Sequence, residues 1–162
     1  MTSMVPIVIT ILTYKGKYVF LKRKNPPYEK LWSMVGGKVA VGEHIREAAI
    51  REVKEETGAN HVTNYRYSGF VSERLVGSDG RLYSHFLIFI GHAEIDCFQE
   101  SHREGELALF SSEEVVTRRE EFLPSDWHMF ECFITAPAST HYEAELAHES
   151  GQYRLNYYRK AE

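Results

Sequence analysis

Glutamates are concentrated in one short segment of this chain, between Gly37 and Gly58. The segment contains, in this order, a single acid, an Arg-Glu pair and a Glu-Glu pair, which are Glu43, Arg51, Glu52, Glu55 and Glu56. Residues three and four positions apart are neighbours on a helix, so the last three acids would form one cluster. Hard divalent cations prefer oxygen ligands such as carboxylates, and they often bind phosphates as well. The spacing therefore predicts an enzyme that binds a metal ion and a phosphate-containing substrate.

Helical periodicity places part of this acidic cluster on the side of the helix that faces the core. With Ile45 as the origin and about 100° per residue, Ala49 lies at about 40°. Glu52 lies at about 340° and Glu56 at about 20°, beside the apolar stripe, while Glu55 lies one row further round. Carboxylates that lose hydration in this way repel one another and take up protons unless a counter-charge is present. Mg²⁺ or Mn²⁺ would supply that counter-charge.

A second interpretation of the same helix is a solvated acidic face. Its charges would then be balanced by basic neighbours on the helix, which are Arg46, Arg51 and Lys54. The wheel positions of two of the acids favour a metal site instead. The glycine pair Gly36-Gly37 before the helix favours it too, because glycine allows the backbone to approach a ligand closely.

The elements around this segment predict a mixed α/β or α+β fold with helices on the faces of a sheet. Runs rich in Val, Ile, Thr and aromatic residues predict strands at 6–14, 18–22, 31–35, 61–75, 82–95 and 107–110. Helices are expected at 44–57, from Ser111 onward and at 126–135, with Gly58 ending the first of them. Residues 101–106 are expected to form a polar loop. Alternation in 141–162 predicts a terminal β-hairpin or tail.

The bulk composition predicts a single domain, 1–162. The chain has 162 residues, of which 43% are hydrophobic, enough for one core. A net charge of −4 argues against a protein that binds nucleic acid polymers, since these usually have a basic excess. Basic side chains do cluster early in the chain, where they would form either a local patch or a solvated strand edge: Lys15, Lys17, Lys22, Arg23 and Lys24.

The remaining sequence signals favour a cytoplasmic protein. Cys97 and Cys132 are too few and too far apart to indicate a metal knuckle or a disulfide framework. The apolar start of the chain has no basic flank or cleavage site, so we expect a strand there and not a signal peptide. No apolar run approaches the roughly 20 residues that a membrane span needs.

The glutamate segment resembles the Nudix box, the signature of the Nudix hydrolases. The fixed positions of that box are occupied here by Gly37, Glu43, Arg51, Glu52, Glu55, Glu56 and Gly58. Val53 fits one aliphatic position of the pattern, whereas Ala59 stands where a bulkier aliphatic residue is usual. So many fixed positions make the match specific.

The resemblance implies an α/β/α sandwich around a mixed β-sheet. It also implies hydrolysis of a nucleoside diphosphate linked to another group, with Mg²⁺ or Mn²⁺ as cofactor. Gly37, Glu52, Glu55 and Glu56 would then be the metal ligands. Arg51 would orient the glutamates, and Glu43 would support the loop-helix-loop. A nucleotide would be the substrate, and homodimers are common in the family.

Family members often add a further carboxylate from a loop after the box. Glu104 and Glu106 are the candidates here, and an ordinary loop acid is the alternative for each. Such a carboxylate would join the metal site or take the proton of the attacking water.

Two parts of the chain, one before the box and one in the C-terminal half, resemble in part the branch of this family that hydrolyses oxidised purine nucleoside triphosphates to monophosphate and pyrophosphate. The features that carry this likeness are Trp32-Ser33 before the glycine pair and Asp126-Trp127 after Pro124. Ser125 replaces a second acid, and Leu123 stands where a stacking aromatic would lie.

The predicted substrate-binding residues are Arg23, Trp32, Ser33, Asp126 and Trp127. In the alternative interpretation of the last two residues, Asp126 caps the following helix and Trp127 is a core residue. Hydrolysis of ADP-ribose or a nucleotide sugar is the alternative activity. A nucleotide-sensing domain without turnover is the alternative of another class.

Overall fold

The computed structural model describes residues 2–26, 28–102, 104–134 and 140–161. Its strands are β1 Met4–Tyr14, β2 Lys17–Arg23, β3 Trp32–Ser33, β4 Val35–Lys38, β5 Val62–Gly77, β6 Leu82–Ile95, β7 Ser101–His102, β8 Gly105–Phe110, β9 Thr140–Glu149 and β10 Gln152–Lys160. Its helices are α1 Ile45–Thr57, α2 Ser112–Thr117 and α3 Pro124–Ile134, with a short 3₁₀ turn at Arg119–Glu121. The predicted order of strands, helices and terminal hairpin is confirmed.

The strands form one mixed sheet in the order β10-β9-β5-β6-β1-β2-β8-β7, with β3 beside β2 and β4 beside β1. Two pairs, β1 with β6 and β5 with β9, are parallel, and the others are antiparallel. The terminal hairpin of β9 and β10 therefore extends the main sheet through β5.

Alternation along β1 shows how the sheet is covered on both faces. Val8 packs with Ala49 of α1. Its neighbour Ile9 belongs to the opposite core, which contains Phe130 of α3. Successive side chains of a strand point to opposite faces, so α1 and α3 lie on opposite sides of the sheet. This confirms the α/β/α sandwich.

Helix α1 begins and ends through local signals. Glu47 Oε2 accepts a hydrogen bond of 2.9 Å from the backbone amide of His44, which precedes the first helical residue. Gly58 ends the helix with φ at +75° and donates to the Lys54 carbonyl oxygen at 2.9 Å. Only glycine adopts this left-handed conformation without strain, so the predicted end of the helix is confirmed.

The predicted polar loop at 101–106 is wrong. Residues 101–102 and 105–106 pair as the short strands β7 and the start of β8. Gly105 allows β8 to lie close to β2, because a Cβ there would be 2.0 Å from the Lys22 carbonyl oxygen. Helix α3 also begins at Pro124, two residues earlier than predicted, since proline is well accommodated in the first turn of a helix. Among the described residues, no helix has the length and apolar character to cross a membrane.

Candidate active site

A single guanidinium group links the acids of the glutamate segment. Arg51 Nε donates to Glu43 Oε1 at 2.7 Å and Arg51 Nη2 donates to Glu43 Oε2 at 2.9 Å. Nη1 donates to Glu52 Oε1 at 2.8 Å and to Glu55 Oε2 at 3.3 Å. Nη2 also donates to the Lys38 carbonyl oxygen at 3.0 Å, which links α1 to β4. The planar fork of arginine is suited to such bidentate pairing.

Glu43 is ionised in this network. The hydrogen bonds from Arg51, and then the one from the Ala40 backbone amide at 2.9 Å, lower the pKa of Glu43 to about 2. A permanently charged Glu43 and a permanently charged Arg51 fix the turn that leads into α1. The position of Arg51 also determines the direction in which the Glu52 carboxylate points.

Glu56 is buried at the inner side of α1, as the helical wheel predicted. Only 5% of the residue is exposed, and its Oε2 accepts from the Gly36 amide at 3.3 Å. Burial, followed by the nearby charge of Glu104, raises the pKa of Glu56 to about 9. In the absence of a counter-charge this carboxyl group therefore holds a proton at neutral pH.

Glu52 lies against the backbone of the glycine pair. A Cβ at Gly37 would lie 2.2 Å from Glu52 Cδ, so no residue with a side chain fits there while Glu52 keeps its position. Burial raises the pKa of Glu52, and the hydrogen bond from Arg51 opposes this effect. Glu55 differs from both, because 55% of its side chain is exposed.

Glu52 and Glu56 line a cavity of about 470 Å³, whereas Glu55 is outside its lining. Its acidic side chains belong to two groups, which we name the glutamate cluster (Glu52, Glu56 and Glu104) and the buried acid pair (Glu73 and Asp126). Sheet side chains form apolar walls, among them Ile7, Ile9, Phe86 and Ile88. The cavity thus joins a highly acidic region to an apolar one.

The glutamate cluster fits a divalent cation. Its donors are all carboxylate oxygens, and burial leaves Glu56 protonated for lack of a positive charge nearby. In the described part of the chain, no three His, Cys, Asp or Glu side chains already form a set that could hold a metal ion. Glu52 and Glu55 point to Arg51, whereas Glu56 points inward to Gly36. A cation would have to draw these carboxylates together.

Of the two later acids, Glu104 lines the cavity and lies close enough to Glu56 to raise its pKa. Glu106 is exposed on β8, opposite Lys22, and does not line the cavity.

The predicted substrate-binding residues separate into two sets. Arg23, Ser33 and Asp126 line the cavity with the glutamate cluster. Trp32 and Trp127 do not line this cavity. The structure therefore brings the three polar candidates together and places both tryptophans elsewhere.

Both tryptophans have packing partners of their own. Trp32 is 7% exposed, and its ring contacts the edge of Phe110 with centroids 5.0 Å apart. Trp127 donates from Nε1 to the Val115 carbonyl oxygen at 2.9 Å and has the Arg119 guanidinium 4.3 Å from its ring centre. It lines a separate groove beside the terminal hairpin.

Asp126 does not cap its own helix. Its Oδ2 accepts from the Met34 amide at 2.7 Å, across the cavity wall from α3. Burial raises the pKa of Asp126 to about 7, although the Met34 amide and Arg23 both favour the charged form. The residue is only 4% exposed, so it is an inward-facing acid.

Glu73 also lines the cavity, and it was not among the site residues predicted from the sequence. This residue lies on β5 between Val71 and Leu75, at the inward position of a strand whose alternation is clear. All three are buried, whereas Arg74 is exposed. An acid in the register of buried apolar residues is the signal that would have found it.

Comparison with known proteins agrees with this architecture. The NUDIX domain family matches residues 3–133. An ADP-ribose pyrophosphatase of Methanocaldococcus jannaschii is 44% identical over 48 residues, which are 30% of this chain and 28% of that protein. A putative 8-oxo-dGTP diphosphatase of Bacillus subtilis is 42% identical over 52 residues, or 32% of this chain and 33% of that protein. The chain thus spans about a third of these curated relatives.

The fold is shared with solved structures. A MutT protein from Bacillus halodurans superposes with a TM-score of 0.77 and 22% identity, covering 96% of this chain and 97% of that one. Nudix hydrolases generally need divalent metal ions, in keeping with the glutamate cluster. The family match over residues 3–133, together with these relatives, identifies the chain as a member of the Nudix family of hydrolases, which act on pyrophosphate bonds.

Proposed function

We propose that this chain hydrolyses a diphosphate bond in a (deoxy)nucleoside triphosphate, releasing a monophosphate and pyrophosphate. An oxidised purine nucleotide is the substrate that we favour, and Mg²⁺ or Mn²⁺ is the cation. One observation supports this proposal above the others. A single cavity joins the glutamate cluster to a recessed region with apolar walls and the inward-facing Asp126. The phosphates would lie at the glutamate cluster, and the ring would lie in the recessed region.

In this proposal Glu52, Glu55 and Glu56, with the carbonyl of Gly37, hold the cation. The bound cation supplies charge stabilisation at the phosphates and lowers the pKa of water. Arg51 keeps Glu52 and Glu55 in place through its Nη1 contacts. A carboxylate oxygen of Glu104 or Glu56 accepts the proton that the attacking water loses.

The ring would bind in the recessed region. The sheet side chains of the cavity wall exclude water from one side of it, and Asp126 accepts a hydrogen bond from the ring edge. Arg23 and Ser33 line the same cavity and would orient the substrate. Since Trp32 and Trp127 have other packing partners, apolar contact with the cavity walls would replace stacking on a tryptophan.

Hydrolysis of ADP-ribose is the second candidate. The observation in its favour is the 44% identity over 48 residues to the archaeal ADP-ribose pyrophosphatase. Both reactions would use the same glutamate cluster, so they differ only in the group that occupies the rest of the cavity.

The deciding experiment is product analysis with a panel of nucleotides. The chain is incubated with Mg²⁺ and, separately, dGTP, 8-oxo-dGTP, dATP and ADP-ribose, and the products are separated by ion-exchange chromatography. We expect pyrophosphate and a monophosphate from a triphosphate. AMP from ADP-ribose, without turnover of any triphosphate, would replace our first proposal with the second. Tight binding without any product would indicate a sensing domain.

Glu56→Gln tests the site in the same assay. We expect a loss of roughly 10²–10⁴-fold in kcat, the range seen when a carboxylate essential to proton transfer or metal binding is removed. Glu131→Gln is the matched control, because Glu131 is an exposed acid on α3 outside the cavity. Near-normal activity of Glu56→Gln would contradict the assignment of the glutamate cluster.

A further inference from the structure

Glu73 is a fully buried acid with an unsatisfied oxygen. It is 5% exposed and lies on β5 between β6 and β9, opposite Phe86 and Ala144. Glu73 Oε1 has no hydrogen bond partner among the described residues. The Ser125 hydroxyl is near enough to favour the charged form of Glu73, yet Ser125 Oγ makes no hydrogen bond of normal geometry. One oxygen of this carboxyl group is thus held in the cavity wall without the partner that burial usually requires.

Glu73 and Asp126 face the same part of the cavity and influence each other. Burial, and after it the charge of Asp126, raises the pKa of Glu73 to about 8. Tyr28 lines this part of the cavity too, and burial, followed by the charges of both acids, raises the pKa of its hydroxyl. Arg23 lies near Asp126, and its buried Nε has no partner in the described part of the chain. Donors and acceptors in this region are therefore available to a ligand.

A purely structural role explains Glu73 poorly. A buried carboxyl group with an unpaired oxygen is destabilising, and an apolar residue of similar size would serve β5 better. Unpaired buried polar groups are rare in native folds, and a functional role is one of the explanations for them. The position of Glu73 in the wall of the cavity that also contains the glutamate cluster shows where that ligand would be.

The extended chain between β3 and β4 relates the two groups of acids. The Met34 amide donates to Asp126 and the Gly36 amide donates to Glu56. Alternate amides of an extended chain point to the same side, and two residues of such a chain span roughly 7 Å. A ligand with its phosphates at the glutamate cluster therefore brings a ring within reach of Glu73 and Asp126.

From this arrangement we propose that Glu73, together with Asp126, selects a purine ring that carries an exocyclic amino group beside a ring nitrogen. Two carboxyl groups on one wall present acceptor oxygens to the N–H groups of such an edge. A ring edge that lacks the amino group would leave one of these buried acceptor oxygens unpaired. This inference rests on the proposed hydrolysis of a nucleotide and adds the part of the ring that is recognised and the residue that recognises it.

The test compares substrates that differ by one amino group. Wild-type chain with Mg²⁺ is assayed with dGTP against dITP, and with ATP against purine riboside triphosphate. We expect kcat/KM to fall by roughly 10–100-fold when the amino group is removed from the preferred base, because a buried acceptor is then left unpaired. In Glu73→Leu and Glu73→Met, the kcat/KM values for the two substrates of each pair should differ by no more than about 3-fold. Two apolar variants are used so that a folding defect in one does not decide the result.

Controls separate recognition from a general effect on the fold. Glu73→Gln keeps an acceptor oxygen and should restore part of the discrimination. Glu131→Leu, an exposed change on α3, should keep the wild-type ratio. The proposal is overturned if the apolar Glu73 variants keep the wild-type ratio or lose activity equally for both members of a pair.

Binding of monophosphates distinguishes this inference from the proposed function. The dissociation constants of dGMP and dIMP, and of AMP and purine riboside monophosphate, are measured by calorimetry for the same variants. Discrimination that depends on Glu73 in a chain that hydrolyses no nucleotide would support the ring site and reject the reaction. Hydrolysis of a triphosphate, combined with discrimination that does not depend on Glu73, would support the reaction and reject the ring site.

Discussion

Arg51 shows at the scale of one residue how a charge can be structural and functional together. Its guanidinium group donates hydrogen bonds from all three nitrogens to three glutamates and to the Lys38 carbonyl oxygen. A lysine has the same charge but only a point-like ammonium group, so it cannot pair with Glu43 in two places and reach Glu52 as well. The geometry, and not the charge alone, places the Glu52 carboxylate.

We therefore predict that Arg51→Lys lowers kcat/KM by roughly 10–100-fold and raises the Mg²⁺ concentration needed for half-maximal rate, as is usual for residues that orient metal ligands. Steady-state kinetics over a Mg²⁺ titration would measure both. Arg118→Lys is a closely matched control, because Arg118 pairs in the same two-point manner with Glu121, at 2.7 and 2.8 Å, on an exposed surface. Equal effects of the two changes would contradict the role given to Arg51.

At the scale of elements, the site depends on how closely α1 approaches β4. Of the two adjacent glycines in β4, Gly37 allows this approach, whereas Gly36 allows β4 to lie close to β1. A Cβ at Gly36 would lie 2.2 Å from the backbone oxygen of Val8, whereas a Cβ at Gly37 would lie 2.2 Å from the side-chain Cδ of Glu52. The first neighbour belongs to the central strand β1 and cannot move cheaply. The second is the end of a side chain and can.

The two alanine variants should for this reason fail in different ways. Gly36→Ala is expected to lower the free energy of unfolding by about 1–3 kcal/mol, the usual cost of overpacking a rigid core. Gly37→Ala should stay within about 1 kcal/mol of wild type, since only the flexible end of Glu52 is displaced, but it should lose activity by roughly 10-fold or more. Urea unfolding and initial rates measure the two quantities. A Gly37→Ala variant with wild-type activity would show that the position of Glu52 is not needed.

At the scale of the whole molecule, the buried acid pair links the cavity to the stability of the fold. Burial raises the pKa of Glu73 from 4.5 to about 8, so the folded chain keeps this proton over a pH range in which the unfolded chain releases it. The stabilisation is fully present below pH 4.5 and is lost as the pH rises toward about 8. Asp126, with a pKa of about 7, acts in the same direction.

Glu73→Gln removes the titrating group but keeps its shape. We predict that its free energy of unfolding equals that of wild type near pH 4 and exceeds it by on the order of 4 kcal/mol at pH 8. Urea unfolding at several pH values, without divalent cations, would measure this difference. Glu131→Gln should follow the wild-type curve. If the free energy of unfolding changed with pH in the same way for Glu73→Gln and wild type, Glu73 would not be held neutral in the fold.

The sequence by itself determined the cluster of acids on α1, which are Glu52, Glu55 and Glu56, and most of the elements. The acids of α1 are related by helical spacing, and Gly58 ends the helix through its own conformation, so both follow from local rules. The prediction of a loop at 101–106 was wrong because β8 pairs with β2, a strand far away in the sequence, through a close approach at Gly105 that local composition does not indicate. Residues 101–102 pair with β8 in turn.

Only the tertiary structure decided what shares the cavity with that cluster. Glu73 meets Asp126 because β5 runs beside β9 and α3 lies over that part of the sheet, and no periodicity in the sequence specifies this order of strands. The same packing turned Trp32 and Trp127 toward other partners. The local chemistry of the glutamate segment was therefore encoded in spacing. The part of the cavity that contains Glu73 and Asp126 depends on contacts between residues far apart in the chain, and these contacts form only when the sheet and its helices assemble.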